Sequence, residues 1–227
     1  MNKQLSTALA ALFLATASIA ADEKDSKYYV GVGGTTGTGT AEASAAVSGF
    51  TATASIDYDT SSVPVKLGMY LENGNRVELS YQSSDYSASG LTSQTVSGIN
   101  VDYKLFLEEP RIGKFAPYGV AGIGMYEWED TAKHFTSNEN LKGIQWGFGA
   151  GGVYGIDKNV ELEATAQYKQ TTWQDILVSS TTISYETSGT ELYLGINYKL
   201  WYLNLNYSNL KPSLGWVFLC PTKPIGI

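Results

Sequence analysis

The stretch VELEATAQYK, from Val160 to Lys169, decides the fold class of this chain. Apolar or small side chains occupy every second position, beginning at Val160, and polar ones fall between them, beginning at Glu161. Because successive side chains of a β-strand point to opposite faces, this order predicts a strand with one apolar face and one polar face. A helix would instead need apolar residues three and four positions apart.

The same alternation recurs along the chain and predicts eight β-strands with an all-β fold. In several segments glycine takes the alternate positions, and turn-forming residues mark the boundaries. The predicted strands lie at about 27–36, 63–71, 76–85, 95–107, 116–128, 142–156, 159–173 and 190–201.

The predicted connections alternate between short and long. Short turns, built on Asn-Gly, Pro and Asp, lie at 72–75, 108–114 and 157–159. Short turns at one rim and long loops at the other are typical of an outer-membrane barrel, whose long loops face the cell exterior. The long connections are rich in Ser, Thr and acidic residues, and they cover 37–62, 86–94, 129–141 and 174–189.

The composition excludes several classes of protein. Hydrophobic residues make up 43% of the 227 residues and charged residues only 16%, yet the mean hydropathy is slightly negative, which is too polar for a bundle of transmembrane helices. The 24 glycines and 16 tyrosines favour turns and strands over helices. Aromatic residues at 12% argue against a disordered chain. A soluble sandwich or barrel and a membrane barrel remain.

The first 20 residues predict a secretion signal. Lys3 supplies a positive charge, an apolar stretch of signal length follows, and small residues precede position 21. The stretch is too short to span a bilayer as a helix. We therefore expect a signal peptide at 1–20 that is removed after Ala20.

The polar faces of the predicted strands carry equal numbers of positive and negative side chains. On the surface of a soluble barrel such charges would be ordinary. In the narrow lumen of a membrane barrel they must pair or form hydrogen bonds, and equal numbers suit that arrangement. The predicted lumen network consists of Lys66, Arg76, Glu78, Asp102, Lys104, Glu161, Glu163, Lys169, Glu191 and Lys199.

Aromatic residues near the strand ends favour the membrane barrel over the soluble one. Tyrosine and tryptophan gather at the two interfaces of a bilayer, so a transmembrane barrel carries them as girdles at both ends of its apolar face. The predicted girdle residues are Tyr28, Tyr81, Tyr103, Trp128, Trp146, Tyr154, Tyr168 and Tyr198.

The segment KFAPYGVAGIG, Lys114 to Gly124, resembles the K-x-x-P-Y-x-x-x-G-x-G segment of opacity-type and OmpA-type outer-membrane proteins. As in those proteins, a glycine-rich strand (147–152), a short turn (157–159) and the strand beginning at Val160 follow it. The resemblance covers about residues 27–200. It implies an eight-stranded antiparallel up-and-down transmembrane β-barrel with short periplasmic turns and long extracellular loops, inserted by the outer-membrane assembly machinery of a Gram-negative bacterium.

The C-terminus departs from that family, whose members usually end on a strand with a terminal aromatic residue. Trp201 would serve as that residue, but 202–227 follow it and contain three prolines. We expect a barrel at 21–201 and a periplasmic extension at 202–227. An extra hairpin making ten strands is disfavoured because proline is confined to edge strands and bulges, and a tail without selected structure is the third alternative.

The sequence predicts no catalytic, cofactor-binding or metal site, and so no enzyme. The lone histidine, His134, lies beside Thr136, Ser137 and Glu139, which could imitate the Ser-His-acid group of a lipid-modifying hydrolase. All four lie on one loop, however, whereas a catalytic nucleophile needs a rigid element. A metal site is disfavoured because Cys220, the one cysteine, is distant from His134.

The expected function is a structural role in the envelope, with surface loops available for adhesion or partner binding. A narrow ion pore is the alternative reading of the charged lumen. Expected partners are outer-membrane lipid, the assembly machinery, and surface or host ligands at the four long loops. Nucleic acid is excluded as a partner because the net charge is −7 and phosphate binding needs clustered Lys and Arg.

Overall fold

The computed structural model describes residues 28–47, 50–129, 140–178 and 181–200. They contain no helix that is long and apolar enough to cross a membrane. The predicted signal peptide 1–20 and extension 202–227 lie outside the described residues. The described strands are β1 (Tyr28–Val47), β2 (Phe50–Ser62), β3 (Val65–Tyr70), β4 (Arg76–Ala88), β5 (Gln94–Phe106), β6 (Phe115–Glu129), β7 (Leu141–Gly155), β8 (Val160–Trp173), β9 (Ile176–Val178) and β10 (Thr181–Leu200).

These strands close into one antiparallel barrel. Neighbours in the chain pair in the order β3-β4-β5-β6-β7-β8-β10, and β1 joins β3 to β10. β2 and β3 are halves of one wall strand, because Thr35 of β1 lies opposite Ser62 and Val32 lies opposite Val65 in a single register. Pro64 interrupts the pairing between them because it has no N–H to donate. The wall therefore has eight strands, which confirms the predicted up-and-down barrel.

Two of the predicted long loops are wrong, because they are mostly strand. β1 continues to Val47 and β2 covers Phe50–Ser62, so 37–47 and 50–62 pair as antiparallel strands. β9 and the first half of β10 occupy most of 174–189. The Thr, Ala and Ser side chains of 37–62 contrast little in polarity, so alternation does not reveal a strand there. Backbone pairing with β10 on one side and with β2 on the other extends β1.

The exposure of the side chains is inverted relative to a soluble protein. Leu194 and Ile123 on the outer face are 68% and 60% exposed, whereas Arg76 in the lumen is 0% exposed. Such an outer surface suits lipid rather than water. Moving away from the short turns, the outward side chains change from apolar to polar at Thr36, Ser61, Ser83, Ser97, Glu127, Lys142, Gln170 and Thr190. We define the membrane-spanning part as the strand segments between the short turns and these positions.

Part of the wall rises far beyond this apolar belt. Residues 38–47, 50–59, 176–178 and 181–190 form a projecting sheet in the order β2-β1-β10-β9, here named the extracellular sheet. At about 3.3 Å per residue, β1 extends about 35 Å past Thr36. The short turns lie at the opposite rim, where Gly74, with φ 79°, closes the β3–β4 turn.

Seven of the eight predicted girdle aromatics face outward, and one does not. Tyr28 and Tyr154 lie near the rim of short turns, and Trp146 and Tyr168 lie near the other rim, with their ring centroids 6.1 Å apart. Trp128 was predicted on the outer face, and this is wrong. It points inward and packs edge-on against Trp173 at 5.4 Å. The outward positions beside it are Glu127 and Glu129.

Candidate functional site

The lumen holds all ten side chains of the predicted charge network. Nine of them form ion pairs. The tenth, Asp102, accepts a hydrogen bond of 3.4 Å from Gln167 Nε2. Charged residues on the same strand are separated by an even number of positions, so their side chains all point inward. There, side chains from neighbouring and from distant strands bring opposite charges together. Three clusters follow one another from the periplasmic rim to the extracellular rim.

The first cluster is centred on Glu161 near the periplasmic rim. Arg76 donates to it from Nη1 to Oε2 at 2.7 Å and from Nη2 to Oε1 at 3.1 Å. Lys199 Nζ lies 2.9 Å from Glu161 Oε1. The Arg76 guanidinium also lies over the ring of Tyr70 at 4.4 Å. β4 and β8 are opposite walls of the ring, so the Arg76–Glu161 pair spans the lumen.

The second cluster is a square of two ammonium groups and two carboxylates. Lys104 Nζ lies 2.7 Å from Glu78 Oε2 and 2.6 Å from Glu163 Oε1. Lys66 Nζ lies 3.2 Å from Glu78 Oε1 and 3.4 Å from Glu163 Oε1. All four side chains are buried. Each charge therefore touches two of opposite sign, which compensates for the loss of hydration.

Neutral side chains complete this second cluster. Tyr29 donates to Glu78 at 2.9 Å, Tyr118 donates to Glu163 at 2.7 Å, and Asn197 Nδ2 donates to Glu163 at 2.7 Å. The Lys66 ammonium lies over the ring of Tyr193 at 3.4 Å. Sequence reasoning did not select these residues, since it looked only for charge. Tyr193 and Asn197 lie on the polar side of the β10 alternation, and that position was the available signal.

The third cluster lies closer to the extracellular rim. Lys169 Nζ is 2.6 Å from Glu191 Oε1, and Gln82 Nε2 donates to Glu191 Oε2 at 2.9 Å. Lys169 and Glu191 are on neighbouring walls, β8 and β10. Gln82 lies on β4, so its hydrogen bond to Glu191 links β4 to β10, two strands that are not neighbours in the barrel.

An aromatic layer covers the clusters on the extracellular side. Val96, Tyr126, Leu141 and Trp173 are buried against one another, and Tyr86 and Trp128 pack on them. Tyr86 also stacks on Tyr58 of the extracellular sheet, with ring centroids 4.7 Å apart. Burial raises the pKa of Tyr58 to about 12, so its hydroxyl is neutral at physiological pH.

The space left in the lumen is small. Two cavities of about 20 Å³ each lie there, and a cavity of this size holds about one water molecule. Gln82, Lys169 and Glu191 line both cavities. The described residues contain no group of His, Cys, Asp and Glu that could hold a metal ion. His134 and Cys220 lie outside the described residues.

Comparison with known proteins agrees with this geometry. Residues 7–207 match the family model for the outer membrane protein β-barrel domain. Among solved structures, OprG from Pseudomonas aeruginosa is similar, with a TM-score of 0.51 and 15% identity over 78% of this chain and 97% of OprG. Neisserial surface protein A has a TM-score of 0.45 and 18% identity over 78% of this chain and 100% of its own.

The N-terminal barrel domain of Pseudomonas aeruginosa OprF has a TM-score of 0.41 and 14% identity over 76% of this chain and 97% of that domain. No curated protein matches the sequence. The likeness to OprG concerns the fold, and the family match covers most of the chain. This protein therefore belongs to the outer membrane β-barrel domain family and is located in the outer membrane.

Proposed function

We propose that this protein is a closed, non-enzymatic barrel that contributes to the integrity of the outer membrane and presents its extracellular sheet for attachment. The observation that carries the proposal is the filled lumen, in which charged clusters and an aromatic layer surround cavities of about 20 Å³ each. Its partners are outer-membrane lipid around the apolar belt and, during insertion, the assembly machinery.

The lumen network supports a structural role because it links walls that do not touch. Arg76 and Glu161 join β4 to β8, and Lys104 and Glu163 join β5 to β8. Removing one partner from such a buried pair leaves an uncompensated charge and typically costs about 3–5 kcal/mol. The network therefore resists deformation of the barrel cross-section.

The extracellular sheet supports the attachment role. It stands on a rigid barrel and extends beyond the belt, where loops and strand ends are accessible to partners. Its outer side carries Glu42 opposite Glu186 in the β1–β10 register, followed by Asp57 and Asp59 on β2.

A deletion strain tests both roles. Without the gene, we expect increased sensitivity to detergent, and the wild-type gene restores resistance. Gly39 and Tyr58 are directly opposite in the β1–β2 register, so an Asn-Gly turn can replace residues 40–57. This shortened protein should restore detergent resistance but not adherence. Unchanged detergent sensitivity in the deletion strain would refute the structural role, and full adherence of the shortened protein would refute attachment by the sheet.

Two measurements address the other functions that the sequence left open. In a planar bilayer the purified protein should show no steady ion conductance, and a steady conductance would overturn the closed lumen. Purified protein should also hydrolyse no lipid. Hydrolysis that is lost in His134→Ala would overturn the non-enzymatic role.

A further inference from the structure

Among the described residues, the extracellular sheet ends in a strand edge that pairs on one side only. Residues 58–62 of β2 pair with β4 on one side and with β1 on the other, but β4 ends at Ala88, opposite Tyr58. From Phe50 to Asp57, β2 pairs with β1 alone among the described residues. Such an edge presents a row of N–H and C=O groups that can pair with a further strand.

The two faces of this edge differ. Even-numbered positions follow the lumen side of the wall and are apolar, from Phe50, which is 82% exposed, to Ile56, which is 38% exposed. Odd-numbered positions on the outer side are Thr51, Thr53 and Ser55, and then Asp57. A strand that pairs with this edge must therefore also alternate between apolar side chains on the lumen side and polar side chains on the outer side.

The segment 50–56 is self-complementary about Thr53. When two copies lie antiparallel with Thr53 opposite Thr53, Phe50 faces Ile56, Ala52 faces Ala54, and Thr51 faces Ser55. Aromatic pairs with β-branched residues and Thr–Ser pairs are favourable across strands. This register also keeps both faces matched, since even positions meet even positions.

The acidic end of the edge limits the register. Asp57 lies just beyond the self-complementary segment, and a shift toward the barrel brings the two Asp57 carboxylates closer together. Like charges directly opposite each other destabilise a strand pair. The end of β4 at Ala88 blocks the same direction. The register centred on Thr53 satisfies both constraints.

We propose that this β2 edge pairs with the β2 edge of a second copy of the protein, antiparallel and centred on Thr53. Copies in one membrane have their β2 strands running in the same direction. Antiparallel pairing therefore joins barrels in opposed membranes and links one cell to another. The proposal rests on the attachment role of the extracellular sheet and specifies its partner.

Disulfide formation tests the register. In a Cys220→Ser background, Thr53→Cys should give an oxidised dimer in detergent micelles, because residue 53 meets itself. Thr51→Cys alone and Ser55→Cys alone should give none, since like positions would be about 13 Å apart, beyond the reach of a disulfide. A mixture of these two should give a dimer. No dimer from Thr53→Cys, or equal dimer from all three single variants, would overturn the proposal.

Charge exchange tests the same contact on cells. Cells bearing Thr53→Lys should not clump, and neither should cells bearing Thr53→Glu, because like charges meet at the centre of the pair. A mixture of the two should clump. Identical clumping in all three samples would overturn self-pairing. If cells adhere to a surface through the extracellular sheet but no Thr53 cross-link forms, self-pairing is wrong and attachment to a different partner stands.

Discussion

Arg76 on β4 and Glu161 on β8 face each other across the lumen through two hydrogen bonds, of 2.7 and 3.1 Å. Both side chains are fully buried. A bidentate pair of this kind is directional as well as charged, so it sets the distance between opposite walls of the barrel. The other lumen clusters are built from lysine–glutamate pairs and lie nearer to the extracellular rim.

Arg76→Leu should lower the free energy of unfolding by about 3–5 kcal/mol, because it leaves the buried Glu161 carboxylate with Lys199 as its one positively charged contact among the described residues. Chemical denaturation of protein folded in lipid bilayers measures the change. Adding Glu161→Leu should recover part of the loss, since it removes the uncompensated charge. An equal or larger loss in the double variant would contradict this account of the pair.

Glu163→Gln should destabilise the barrel more than Glu191→Gln. Glu163 is buried and contacts two lysines, whereas Glu191 contacts one lysine and its side chain is 11% exposed. We expect a loss of about 3 kcal/mol or more for the buried position. Samples are heated to increasing temperatures before gel electrophoresis. The temperature at which the folded band disappears ranks the variants by stability. Glu108→Gln on an exposed turn is the matched control and should leave that temperature unchanged.

Ile196→Lys should cost about 2–4 kcal/mol in a bilayer, because it places a charge on the lipid face near the middle of the belt. Ser184→Lys is the control on the same strand and the same outer face, but in the extracellular sheet. It should change stability by less than about 0.5 kcal/mol. If both substitutions change the free energy of unfolding of the protein in a bilayer by the same small amount, the position of the belt is wrong.

Gly68→Ala should destabilise the barrel by about 1–3 kcal/mol, as overpacking does. A Cβ at this position would overlap the ring of Tyr29, and Tyr29 is buried and donates to Glu78. Gly34→Ala is the control, because a Cβ there points into open space. Chemical denaturation in bilayers should give a lower free energy of unfolding for Gly68→Ala than for Gly34→Ala. Equal free energies would show that Tyr29 moves aside at little cost.

Alternation in sequence predicted the strands and the two faces of each, and the aromatic girdles together with the family resemblance indicated that the polar face is the inward one. Val160 to Lys169 is strand over its whole length, with Glu161, Glu163 and Lys169 in the lumen. The same pattern could not place Trp128, because β6 has glycine and alanine among its alternate positions and Trp128 lies near its end. At that position the residue type alone does not decide whether a tryptophan side chain faces the lumen or the lipid.

The sequence by itself determined the all-β class and the residues that share each face, because a period of two assigns each side chain to one side of the wall, and the girdle aromatics indicated which face meets lipid. Only the tertiary structure decided which charges pair, since that depends on strand register around the closed ring. It also decided that 37–47 and 50–62 are strand. Their small, similar side chains carry little periodic signal, and pairing of β1 with β10 and β2 holds them in place.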